Sequence, residues 1–139
     1  MNSSRKAPFA HVDTVLVVEG DVLARTVLAH YLRDCGYRVL EAAHAQEATT
    51  ILQDGAFRVD VVLSSIDLSN PGDGFRLSQW VKAHCPDISI LLAGTLERAA
   101  SAAGDLCEEG PMLAKPYEPK TILDRIKQLL ARRAWRSAP

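Results

Sequence analysis

Four short clusters in this 139-residue chain carry residues able to do chemistry: Glu19-Gly20-Asp21, Ser65-Ile66-Asp67, Ala93-Gly94-Thr95 and Lys115-Pro116. Together they hold three carboxylates, two hydroxyls and one ammonium group. Carboxylates can gather a cation, and a lysine can pair with an anion or with a carboxylate. A serine hydroxyl is a poor nucleophile unless a base or a metal activates it, and Glu19 is a conceivable base. The other reactive types give less. His11, His30, His44 and His84 do not fall at metal-ligand spacing, so no zinc site is expected. Cys35, Cys85 and Cys107 are widely spaced, odd in number and without a Cys-x-x-Cys pair. Reduced thiols are the simplest reading of them.

Whether the four clusters meet depends on the elements that carry them. Residues 14–18 are a β-branched run of buried-strand type, with Glu19 directly after it. Residues 21–35 place Ala24, Val27, Leu28, Tyr31 and Leu32 at helical spacing, with Asp21 as cap and Gly36 as left-handed stop. The pattern repeats with strands expected over 37–41, 59–64, 88–92 and 112–114. Helices are expected over 45–54, 75–84, 96–107 and 119 to about 133. Pro119 suits a first helical turn, with Glu118 as its cap. Five βα units with strands apolar on both faces predict an α/β fold. It is a flavodoxin-like, doubly wound, five-stranded parallel sheet of order 2-1-3-4-5, with helices on both faces. In such sheets function gathers at the carboxyl ends of the strands, where all four clusters lie.

Residues 1–13 read as a flexible N-terminal arm, 14–133 as the domain and 134–139 as a C-terminal tail. The arm lacks the apolar core of a signal peptide, and no apolar run is long enough to span a bilayer. A cytoplasmic location is expected. A formal charge of −1 with 47% apolar residues gives no reason to expect a nucleic acid or membrane partner. The basic stretch around Trp135 reads as a solvated helix end, and Trp80 as partly exposed packing.

At the strand ends the chain resembles the receiver domains of bacterial response regulators. The resemblance rests on three segments: Val15-Leu16-Val17-Val18-Glu19, Asp60-Val61-Val62-Leu63-Ser64-Ser65-Ile66 running on to Asp73-Gly74, and Met112-Leu113-Ala114-Lys115-Pro116-Tyr117. It covers roughly residues 14–132. Receivers take a phosphoryl group from a histidine kinase onto an aspartate, with Mg²⁺ held by acidic residues after the first strand.

The resemblance implies that much of this machinery is replaced here. Glu19 keeps the first acidic position and Gly20 occupies the second, while Asp21 is expected to start the helix. Ser65 stands at the phosphoacceptor position. Gly94, or Ala93 under a one-residue shift, stands at the hydroxyl position, and Met112 at the switching aromatic. Lys115 matches, as does Pro116 at the position that usually follows a cis bond in the family. Aligning Asp67 as the acceptor instead requires a deletion before Asp73-Gly74, whereas the Ser65 alignment is free of gaps.

With two negative charges replaced, Glu19 and Lys115 can neutralise each other, and Asp21 and Asp67 become rim acids. No metal or other cofactor is expected, beyond weak Mg²⁺ binding at Glu19 and Asp67. The expected function is that of a stand-alone, non-enzymatic pseudo-receiver in a two-component phosphorelay, acting by contact alone. Its expected partners are a histidine kinase, another receiver or a second copy of itself. They would dock on the fourth helix, fifth strand and fifth helix. One alternative is atypical phosphotransfer through Asp67 or Ser65. Another is an unrelated flavodoxin-like cofactor-binding protein, against which stands Glu19-Gly20-Asp21 in place of a phosphate-binding loop.

Overall fold

A computed structural model describes residues 14–109 and 118–137. The elements in chain order are β1 (Thr14–Val18), α1 (Val22–Asp34), β2 (Arg38–Ala42), α2 (Ala45–Asp54), β3 (Val61–Ser65), α3 (Asp73–His84), β4 (Ser89–Ala93), α4 (Leu96–Glu108) and α5 (Pro119–Ser137). The four strands form one parallel sheet of order β2-β1-β3-β4. The expected fifth strand at 112–114 lies outside the described residues, so four strands stand here where five were expected. No helix among the described residues is long and apolar enough to cross a membrane.

Every residue of β1 is buried, and its side chains alternate between two cores. Val15 and Val17 join Leu28, Leu32, Ala103 and Ile126 beneath α1, α4 and α5. Leu16 and Val18 join Ala48, Leu77 and Val81 beneath α2 and α3. Helices therefore cover both faces, which is what a parallel sheet of near-continuous apolar strands needs.

The expected helix stops are in place. Gly36 after α1 has φ 100° and Gly55 after α2 has φ 75°, a region that a Cβ disfavours. The carbonyl of Glu118 accepts the Thr121 N–H at 2.9 Å, so α5 starts where Pro119 fits. Trp80 packs against the second core and stacks on His84 with ring centroids 4.6 Å apart.

Four expectations are corrected. First, α3 begins at Asp73, not at residue 75. Gly72 turns the chain with φ 81°, and Gly74 lies so close to β3 that a Cβ would overlap the Ser65 carbonyl oxygen and come within 2.7 Å of Ile66 Cα. Second, helix α5 continues to Ser137, so most of the expected tail is helical.

Third, α5 runs parallel to the strands, whereas the helix of a fifth βα unit would run antiparallel. It starts against Gly104 of α4, whose missing side chain admits the Pro119 ring. Lys127 then pairs with Glu97 at 3.1 Å, and Arg133 pairs with Asp21 at the start of α1. Amphipathic spacing buries Ile122 and Ile126, but the same stripe fits either direction of the helix. Fourth, Cys35 and Cys107 are joined as a disulfide across 72 residues, not apart as reduced thiols. Folding brings α1 and α4 onto one face, and sequence spacing does not register that.

Candidate functional site

Parallel register brings the first two clusters together. Val18 of β1 pairs with Ser64 of β3, so Glu19, just past β1, lies beside Ser65, the last residue of β3. The Ser65 hydroxyl donates to Glu19 Oε1, and the Asp21 N–H donates to Glu19 Oε2 at 2.8 Å. Arg25, one turn into α1, donates to the Glu19 carbonyl at 2.8 Å and pairs with Glu41 at 3.4 Å. Both carboxylate oxygens of Glu19 therefore have partners within its own strand-end cluster or the next. Below Glu19 and Ser65 is a void of about 10 Å³ reaching Leu63, Ala93 and Ala99, room for at most one water.

Asp21 does what the helix start predicts. Its Oδ1 accepts the N–H groups of Leu23 at 2.9 Å and Ala24 at 3.1 Å, while its Oδ2 receives Arg133. Burial alone would raise its pKa. The Arg133 hydrogen bond, the N–H of Ala24, the charge of Arg133 and the N–H of Leu23 together outweigh that and hold the carboxyl below its usual value.

Gly20 is exposed, and a Cβ there would meet only the Ala43 carbonyl at an ordinary 3.6 Å. Asp67 is exposed, and within its own loop its Oδ1 accepts the Gly72 N–H at 2.9 Å. Gly94 follows β4, with its missing Cβ 3.3 Å from the tip of Ile66. The nearby hydroxyl of Thr95 accepts the Arg98 N–H at 3.1 Å as the cap of α4. Met112, Lys115 and Pro116 lie outside the described residues.

Among the described residues, no three His, Cys, Asp or Glu side chains are grouped to hold a metal. The local donors do not fit Mg²⁺, an ion that wants several free oxygens in octahedral array. Glu19 is committed to a hydroxyl and an N–H, Asp21 to a helix cap and an arginine, and Asp67 to a turn. Sequence reasoning missed Arg25 and Arg133. Arg25 lies four residues after the capping Asp21, which is a usable signal. Arg133 lies 112 residues from Asp21, and nothing in the sequence links them.

The sequence pattern of the family described as "Response regulator receiver domain" matches residues 15–127. The chain belongs to that family. The receiver is 32% identical over 127 residues to the transcriptional regulatory protein AruR of Pseudomonas aeruginosa, covering 88% of this chain and 51% of AruR. It is 31% identical over 117 residues to the sensor histidine kinase RcsC of Salmonella typhi, covering 84% of this chain and 12% of that one. The receiver thus spans about half the length of one curated relative and a small part of the other. Among solved structures it resembles the chemotaxis response regulator CheY4 of Vibrio cholerae, with a TM-score of 0.56 and 25% identity over 85% of this chain and 98% of that one. A flavodoxin-like receiver of the two-component signalling type therefore carries the Glu19–Ser65 pair at its strand ends.

Proposed function

We propose that this receiver acts by protein–protein contact without being phosphorylated, as a pseudo-receiver with Ser65 at the phosphoacceptor position. The observation that carries the reading is the Ser65 hydroxyl, at the end of β3, spent as a donor to Glu19. A serine could form only a stable phosphate ester, not the labile acyl phosphate a receiver passes on. Glu19 lies within reach of the Ser65 proton, but a base alone does not neutralise the charge of a transferring phosphoryl group. Gly20 adds no metal ligand and Gly94 no hydroxyl, so positioning and charge neutralisation are both lacking. The domain is then not an enzyme, has no cofactor and binds Mg²⁺ weakly at Glu19 and Asp67 if at all. It works in the cytoplasm, docking a histidine kinase, another receiver or its own copy through α4, the 112–114 segment and α5.

The test is incubation with a small acyl phosphate donor and millimolar Mg²⁺, followed by intact mass. The expected product is unmodified protein. A hydroxylamine-labile phosphoryl group on Asp67, or a hydroxylamine-stable one on Ser65, would replace this reading with atypical phosphotransfer.

A further inference from the structure

We propose that Cys35 and Cys107 are a redox-responsive pair, a dithiol that closes to a disulfide by exchange with a low-molecular-weight disulfide. The inference is independent of which partner the receiver binds. The structure holds the two residues joined, with Cα atoms 5.5 Å apart. That lies within the roughly 4.4–6.8 Å that a disulfide bridges without moving the backbone. No local turn can bring together residues 72 apart, so the cause is tertiary.

One corner does it. Cys35 ends α1, its N–H donating to the carbonyls of Tyr31 and Leu32 at 3.1 Å each. Gly36, with φ 100°, reverses the chain, and Tyr37 on its far side donates its hydroxyl to the Leu106 carbonyl. Residues flanking one glycine therefore grip two consecutive residues of the last turn of α4. The Tyr37 bond does not depend on the state of sulfur, so the thiols stay opposed when reduced. Cys85 packs against the core on the other face of the sheet and cannot compete.

Both paired sulfurs belong to buried residues, Cys35 at 0% and Cys107 at 1% exposure, so a reagent reaches them only when the structure opens locally. Cys107 precedes the exposed Glu108 and Glu109 at the end of α4, where a helix opens at least cost. The Cys107 thiolate attacks one sulfur of the small disulfide, giving a mixed disulfide and one reagent thiol. The Cys35 thiolate then attacks the Cys107 sulfur and expels the second reagent thiol. Two protein S–H bonds and one reagent S–S bond become one protein S–S bond and two reagent S–H bonds. The protein gives up two electrons and two protons, and the reagent takes them. Closure ties α4 to the end of α1.

The experiment uses the full chain, reduced, freed of reductant and equilibrated with excess oxidised glutathione. The expected product is lighter than the reduced chain by two hydrogens, alkylates at Cys85 alone, and yields a non-reduced peptide joining Cys35 to Cys107. It should melt on the order of 10 °C above the reduced form, and Cys107→Ser should abolish that difference. Should Cys107→Ser fail to fold, the wild-type mass and peptide map decide alone. Three alkylatable thiols at equilibrium, an unresolved mixed disulfide at Cys107, or equal melting temperatures for the two forms would overturn the proposal.

Discussion

The two ends of α1 are built by different means. At its start, Asp21, Glu19 and Ser65 form a polar, partly exposed chain of hydrogen bonds at the carboxyl end of the sheet. At its finish, Cys35 and Tyr37 hold Leu106 and Cys107 in a buried corner at the opposite end. The start is fixed mainly by adjacency, because β1 pairs with β3 and the carboxyl ends of the two strands lie side by side. The finish is fixed by packing between elements about seventy residues apart. Polar groups at the start can be exchanged at modest cost to the fold, while the corner ties the helices of one face together.

The largest expected departure from that contrast is at Gly74, where the polar end is as tightly packed as any core. A Cβ there would overlap the backbone of Ser65 and Ile66. Gly74→Ala should cost about 3 kcal/mol or more, a fall in Tm of roughly 10 °C, read by thermal melting. Amide shifts should move at Ser65 and Ile66 and stay put at Cys35 and Tyr37. Equal shifts at both ends would erase the distinction between them.

Next in size is a gain of chemistry at the polar end. Ser65→Asp alone should take up little phosphoryl group from a small donor. Adding Gly20→Asp and Gly94→Ser should give one hydroxylamine-labile phosphoryl group by intact mass. Gly20 has ordinary room for a side chain, and at Gly94 only the Ile66 tip, 3.3 Å from the built Cβ, must give way. Uptake by the single variant equal to that of the triple would mean that Asp21 or Asp67 already serves a metal.

The smallest expected effect is at Arg133, which reaches Asp21 at the start of α1 from 112 residues away. Arg133→Gln should let the Asp21 pKa rise, as followed by the pH dependence of its carboxyl chemical shift. A lowered folded pKa adds stability above the unfolded carboxylate range, and that stability is lost as pH falls through the folded value. The variant should therefore be less stable near neutral pH, by about 1 kcal/mol at most for so exposed a pair, and the gap should close below about pH 4. An unchanged Asp21 titration would show that Arg133 is not what holds it down.

Much of the polar end was legible in the sequence because its determinants are local. The β-branched run at 14–18 had to be a buried strand, Asp21 had to cap α1, and Gly36 and Gly55 had to end helices. Right-handed crossovers narrowed the topology, the flavodoxin-like order put β1 beside β3, and Glu19 beside Ser65 followed. The start of α3 was misjudged by two residues because closeness to the Ser65 carbonyl, which excludes a side chain at Gly74, is a tertiary fact.

By itself, then, the sequence determined the alternation of strands and helices and the caps and stops of those helices, for which short-range periodicity and capping are enough. The order of the first four strands, and with it the meeting of Glu19 with Ser65, was expected from the flavodoxin-like fold that the pattern resembles. Only the tertiary structure decided that α5 runs up the face from Pro119 to Arg133, that Arg133 reaches Asp21 and that Cys35 meets Cys107. An apolar stripe states how much of a helix must be buried, but not in which direction it lies or which neighbour it meets, because burial of apolar surface is non-directional.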